Sequence, residues 1–179
     1  LFHVRTGVLS YPLPDFLGQA WWVFPLMASA GVLLIAGALV VRRVFALRPS
    51  DVARPSTRRI AVDSALSFAA YALTGLLPRE HLLLTAILVA TFAMRLAFAY
   101  SPALLATALL VSIAGPLVEA AVIALGGFTF SAGIPWEAVP LGVPYWLAGL
   151  YLHMGITVAT VARAMNPEVS PALKEMAKA

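Results

Sequence analysis

Asp63, Arg95, Glu119 and His153 are the side chains here whose chemistry matters most, because each falls within a long apolar run. A charge at membrane depth costs roughly 3 kcal/mol or more, so each needs a partner or a task. Asp63 follows Arg59 by four residues, the spacing of an ion pair along one helix face. Arg95 lies about a turn from a break at Tyr100, and its long side chain is expected to snorkel to the headgroups. Glu119 sits one turn beyond Pro116, and His153 lies in the middle of the last apolar run. Counted at ~1.5 Å per residue, the two lie about 10 Å and about 15 Å inside the same membrane face. On neighbouring helices they would share a hydrogen bond. Alternatively, carbonyls freed at a Pro116 kink satisfy each of them, or both meet a ligand. As a catalytic pair they lack a third group. HExxH, GxSxG, P-loop and metal-spaced His or carboxylate patterns do not occur, so neither cofactor nor metal is expected.

The elements that must position these residues are apolar runs at about 16–41, 60–77, 82–99, 103–125 and 143–165. Each is long enough to cross a hydrocarbon core of ~30 Å as a helix. They predict an all-α, polytopic transmembrane bundle, one domain over 1–165, with a cytoplasmic tail over 166–179. The last run, GVPYWLAGLYLHMGITVATVARAM, carries Trp146 at its head and His153, Gly155 and Thr157 near its middle. These offer an ionisable ring, a place for close helix approach and a hydroxyl. Trp21 and Trp22 fit an interfacial belt, and Pro25 and Gly115-Pro116 are expected to bend their helices. With Phe128, Phe130, Trp136, Tyr145 and Trp146 they gather near one membrane face, as belt residues or as the mouth of a pocket. Residues 1–15 are Pro-broken and read as a surface segment.

The loop 42–59 carries six arginines against one acid, Asp51, which places it in the cytoplasm. Five spans then put the tail inside and Leu1 outside, so a sixth span is expected ahead of Leu1. At 61% hydrophobic and 11% charged, the chain departs from a soluble domain's composition. The net charge of +4 arises beside and between the spans, not on a basic face with interleaved aromatics, which argues against nucleic-acid binding. The absence of cysteine excludes thiolate chemistry and disulfides.

Ala20-Trp21-Trp22-Val23 with Pro25, at the head of a small-residue span, resembles the matching helix of the Insig (insulin-induced gene) family. Gly127, Phe128-Thr129-Phe130-Ser131, Trp146-Leu147, Gly155, Thr157 and Arg163 are similar in order and spacing to that family's closing segment. The resemblance implies a six-span bundle with both ends cytoplasmic and a non-enzymatic lipid-sensing role. Animal Insigs bind oxysterols and retain Scap and HMG-CoA reductase in the endoplasmic reticulum. Two departures stand out. Ala99-Tyr100-Ser101-Pro102 replaces the family's Asp-Arg-Ser-Arg turn, which argues against a Scap-type partner. Leu82 stands where the family places a glutamine, which argues for an acyl lipid over a hydroxysterol. The alanine and arginine richness suggests a bacterial, actinobacterial homologue in the plasma membrane.

The expected function is therefore non-catalytic binding of an apolar lipid, diacylglycerol or another acyl lipid, in a cavity between helices. The expected site comprises Trp21, Trp22, Pro25, Leu82, Glu119, Trp146, His153, Gly155 and Thr157. Small-residue faces suggest a homo-oligomer, a trimer being the guess. The alternative is an isoprenoid-modifying membrane enzyme: Gly115-Pro116-Leu117-Val118-Glu119 weakly resembles carotenoid hydratases and cyclases, with Glu119 as proton donor.

Overall fold

The computed structural model describes residues 2–45, 54–77, 79–130 and 140–165. The centre of the arginine loop, Pro78, Trp136 with most of its loop, and the tail 166–179 lie outside the described residues. The described residues are mostly helical. A short α1 (Phe2–Arg5) precedes five long helices: α2 (Val23–Phe45), α3 (Thr57–Leu76), α4 (His81–Phe98), α5 (Pro102–Ala124) and α6 (Trp146–Met165). Two two-residue strands, β1 (Leu9–Ser10) and β2 (Thr129–Phe130), pair antiparallel with Leu9 opposite Phe130. Four of the long helices, α2, α4, α5 and α6, are long and apolar enough to cross a membrane. The fifth, α3, is long enough at 20 residues, but Arg58, Arg59, Asp63, Ser64, Ser67 and Thr74 lower its hydropathy. Several of those polar groups find partners inside the bundle, as shown below.

Local chemistry explains two of the helix starts. Ser56 caps α3, its hydroxyl accepting from the Arg59 amide at 3.2 Å. Ser101 caps α5 in the same way, accepting from the Leu104 amide at 3.0 Å, with Pro102 in the first turn where no N–H is needed. The first long helix departs from expectation. It begins at Val23 and not near 16, because Leu17 (φ 54°) and Gly18 (φ 78°) are left-handed and close a tight Phe16–Gln19 turn. Pro25 therefore lies in the first turn of α2, where it breaks no backbone bond, and is not the expected mid-helix bend. By contrast, α5 continues through Pro116 as one helix.

The bundle is built around α6. Half of its span is buried, against 11% for α2, and it packs on α2, α3, α4 and α5. Small residues permit this. A Cβ added to Gly155 would meet the Ala108 Cα at 2.5 Å, so α5 and α6 touch backbone to backbone there. At Gly149 the neighbour is instead the side chain of Leu88. Meanwhile α2 and α3 both lean on α6 but touch each other little, and a cleft runs along α6 beside α3.

One end of the bundle carries a cap. Phe2 fills the notch at Gly75, and the imidazole of His3 bonds the Thr74 hydroxyl at 2.8 Å. The β1–β2 pair then ties residues 9–10 to the segment after α5. A run of ring contacts underlies the cap, from Tyr71 through His3, Trp146, Phe130 and Phe128 to Tyr11 and Trp22.

Candidate functional site

Asp63 is the centre of the buried polar structure, 1% exposed although it lies within α3. Arg59 donates to its Oδ2 at 2.7 Å, as the spacing anticipates. Two further donors come from other helices. The Thr160 hydroxyl bonds Oδ2 at 2.8 Å, and Arg95 bonds Oδ1 at 3.2 Å. Arg95 is thus not a snorkelling residue. It is 7% exposed and points inward, because a carboxylate on the neighbouring helix offers more than the headgroups do. Its Nη1 donates to Nδ1 of His153 at 2.7 Å. His153 in turn reaches the Leu88 carbonyl with Nε2 at 3.0 Å. The expected pairing of His153 with Glu119 does not occur: the α4 face of α6 claims the imidazole, and Glu119 sits on α5.

Beside this network lies a cavity of about 280 Å³ between α3 and α6. Its walls are Ser64, Ser67, Phe68 and Tyr71 from α3 and Met154, Thr157 and Val158 from α6. The Thr157 hydroxyl donates to the Asp63 carbonyl at 2.8 Å. Ser67 lies 2.7 Å from that hydroxyl and 2.8 Å from the His153 carbonyl. These two hydroxyls are occupied in holding the helices together, so the cavity presents an almost wholly apolar wall. Its size falls at the lower edge of the ~300–1,000 Å³ of small-molecule sites, enough for part of an extended chain.

Toward the capped end stands Glu119. Tyr151 donates to its Oε1 at 2.7 Å. Gly115, one turn earlier on the same face of α5, makes the notch in which the Tyr151 ring lies. The hydroxyls of Tyr71 and Tyr11 are near enough to feel the same carboxyl. Burial first, and then the Glu119 charge, raise the Tyr11 phenol above its ordinary range. Tyr71 also lines the cavity, so the carboxyl stands close to the cleft's capped end.

Of the residues singled out in the sequence, Thr157 lines the cavity, His153 lies behind its wall and Glu119 near its end. Gly155 serves the α5–α6 contact and Trp146 is fully buried beneath the cap. Trp22 packs edge-on against Tyr11, while Trp21 is largely exposed beside it. Pro25 begins α2, and Leu82 projects outward from α4, 83% exposed and apart from the cleft. Sequence reasoning missed Ser64, Ser67 and Tyr71, at i, i+3 and i+7 on α3. It also missed Met154 and Val158, which flank Thr157 on α6. It missed Tyr151 as well, whose signal was the Gly115–Glu119 spacing of one turn. Among the described residues, no group of His and acids is placed to hold a metal.

No protein-family model matches this sequence, and no curated protein sequence matches it. Solved structures do. A mycobacterial Insig homologue from Mycobacterium vanbaalenii, MvINS, superposes with a TM-score of 0.75 at 24% identity, over 94% of this chain and 87% of that one. A cross-linked trimer of an MvINS variant gives 0.74 at 23% identity with the same coverage. At these identities the likeness is one of fold, and it extends over nearly the whole chain.

Proposed function

We propose that this chain is an Insig-like, non-catalytic membrane protein that holds an acyl lipid in the cleft between α3 and α6. The observation that carries the reading is the cavity wall. Ser67 and Thr157 bond each other and backbone carbonyls, so what remains exposed suits a hydrocarbon chain and offers little to a polar substrate. Diacylglycerol fits this description, as do other acyl lipids. The proposed setting is a bacterial plasma membrane, with the arginine loop and the tail on the cytoplasmic side. By analogy with the cross-linked trimer of MvINS, the assembly is a homotrimer.

Native mass spectrometry after gentle detergent extraction tests both claims together. The expected spectrum shows three chains, each with one acyl lipid. Val158→Trp, which fills the cleft without touching a hydrogen bond, should release the lipid and leave the assembly intact. Equal lipid retention in wild type and Val158→Trp would rule the cleft out as the site.

A further inference from the structure

Asp63 and Glu119 are both acids placed inside the bundle, yet the structure treats them differently. Asp63 has two guanidinium partners. Glu119, about 8 Å from the end of α5 by helix rise, forms no ion pair among the described residues. Its Oε1 accepts from Tyr151, and no donor among the described residues reaches Oε2. What surrounds it is a set of phenols: Tyr151 in contact, and Tyr71 and Tyr11 within range of its charge. A carboxyl at this depth has no positive charge beside it among the described residues.

We propose that Glu119 is the counter-ion for the ammonium group of an amine-bearing lipid whose chain lies in the cleft. This rests on the cleft reading above. Carboxylate and phenols together are a chemistry that recognises ammonium groups: the free carboxyl oxygen and the phenol oxygens accept N–H hydrogen bonds. The placement fits as well. Tyr71 belongs both to the cavity wall and to the group around Glu119, so a chain lying along α3 brings its head to the carboxylate. A neutral lipid such as diacylglycerol would leave Oε2 with a hydroxyl at best and the charge uncompensated.

The experiment compares phosphatidylethanolamine with its N-acetyl derivative, of identical acyl chains, bound to the detergent-extracted full chain by native mass spectrometry. Wild type should retain the free amine over the acetylated form by about tenfold. Glu119→Gln should retain both alike, since the amide oxygen still accepts from Tyr151 but carries no charge. Wild type also answers alone. Carbodiimide condenses a bound amine with the Glu119 carboxyl into an amide, mapped by peptide mass, and this reading needs no variant to fold. Equal retention of the two lipids by wild type, or a preference that survives Glu119→Gln, overturns the assignment and leaves the cleft standing. Retention of neither lipid overturns the cleft reading and the assignment with it.

Discussion

The guanidinium of Arg95 donates to Nδ1 of His153 at 2.7 Å, which fixes the imidazole. A guanidinium has only donors, so Nδ1 is the acceptor and the ring's proton sits on Nε2. From there it is directed at the Leu88 carbonyl, 3.0 Å away. The nearby Thr91 hydroxyl is 2.7 Å from the Ile87 carbonyl and so has its own acceptor. His153 is thereby bound on both nitrogens and faces α4. It has no hand free for a ligand headgroup. Its role is to complete the surroundings of a buried ion pair that joins α3 and α4 to α6.

That arrangement predicts an asymmetry. Arg95→Met strips Asp63 of an inner partner and His153 of its donor, and should cost about 3–5 kcal/mol, the usual penalty for halving a buried pair. Adding Asp63→Asn should restore part of that loss, because the buried charge left with only the partly exposed Arg59 goes too, and Arg59 can turn to water or headgroups. Unfolding titrations in mixed micelles read both. A double variant no more stable than Arg95→Met alone would show that the pair is not the source of the effect.

Gly155 sets the spacing of α5 and α6. The atom a new Cβ would meet is the Ala108 Cα, part of the backbone and unable to swing aside. Gly155→Ala should therefore destabilise by about 1–3 kcal/mol, as overpacking does. Gly31, where an added Cβ meets nothing within 4 Å, provides the control and should tolerate alanine without loss. Similar melting temperatures for the two variants would refute the close-approach reading.

The Tyr151–Glu119 bond gives a graded pair of outcomes. Tyr151→Phe removes the donor from a carboxyl oxygen and should cost about 1.5–3 kcal/mol, as hydrogen bonds to charged groups do. Glu119→Gln keeps an acceptor for the Tyr151 hydroxyl, and should cost less than Tyr151→Phe in the same melting assay. The reverse order would mean that the hydrogen bond is not what stabilises this corner of the bundle.

How much of this was legible in the sequence depends on the range of each interaction. Apolar runs, the Ser56 and Ser101 caps and the Arg59–Asp63 spacing are local, and the helices follow from them. The left-handed turn at Leu17 and Gly18 is local too, but a Gly after Leu does not announce that helix formation must wait until Val23. The pairing of polar residues was the illegible part. Depth counting put Glu119 and His153 at compatible heights, yet height says nothing about which face of α6 each neighbour occupies. That depends on where the small residues let α5 approach, at Gly155 and Ala108. Arg95 was misjudged for a related reason, since the headgroups were the only partner visible within its own helix. The cleft is legible in retrospect as two short faces, Ser64–Ser67–Tyr71 and Met154–Thr157–Val158, once α3 and α6 are known to be neighbours.

The cap supplies a pH dependence that can be signed in advance. His3 lies outside the long helices, 6% exposed, bonded through Nε2 to Thr74 and tilted against the Tyr71 ring with centroids 4.1 Å apart. Burial lowers its imidazole from 6.5 to about 4, against a smaller opposing pull from the Tyr71 carbonyl. With the cap undocked the ring takes up a proton near its ordinary value, so the undocked form binds more protons between about pH 6.5 and about pH 4. Docking is therefore unaffected above that window and weakens steadily as pH falls through it, with no further loss below. Amide exchange over residues 2–10, corrected for its intrinsic pH dependence, should show protection declining from neutral pH toward pH 4. His3→Phe should flatten the profile, since the ring still fills the space between Tyr71 and Trp146 but cannot titrate. Unchanged protection across the window in the wild type would mean that Phe2 in the Gly75 notch and the β1–β2 pair hold the cap without help from His3.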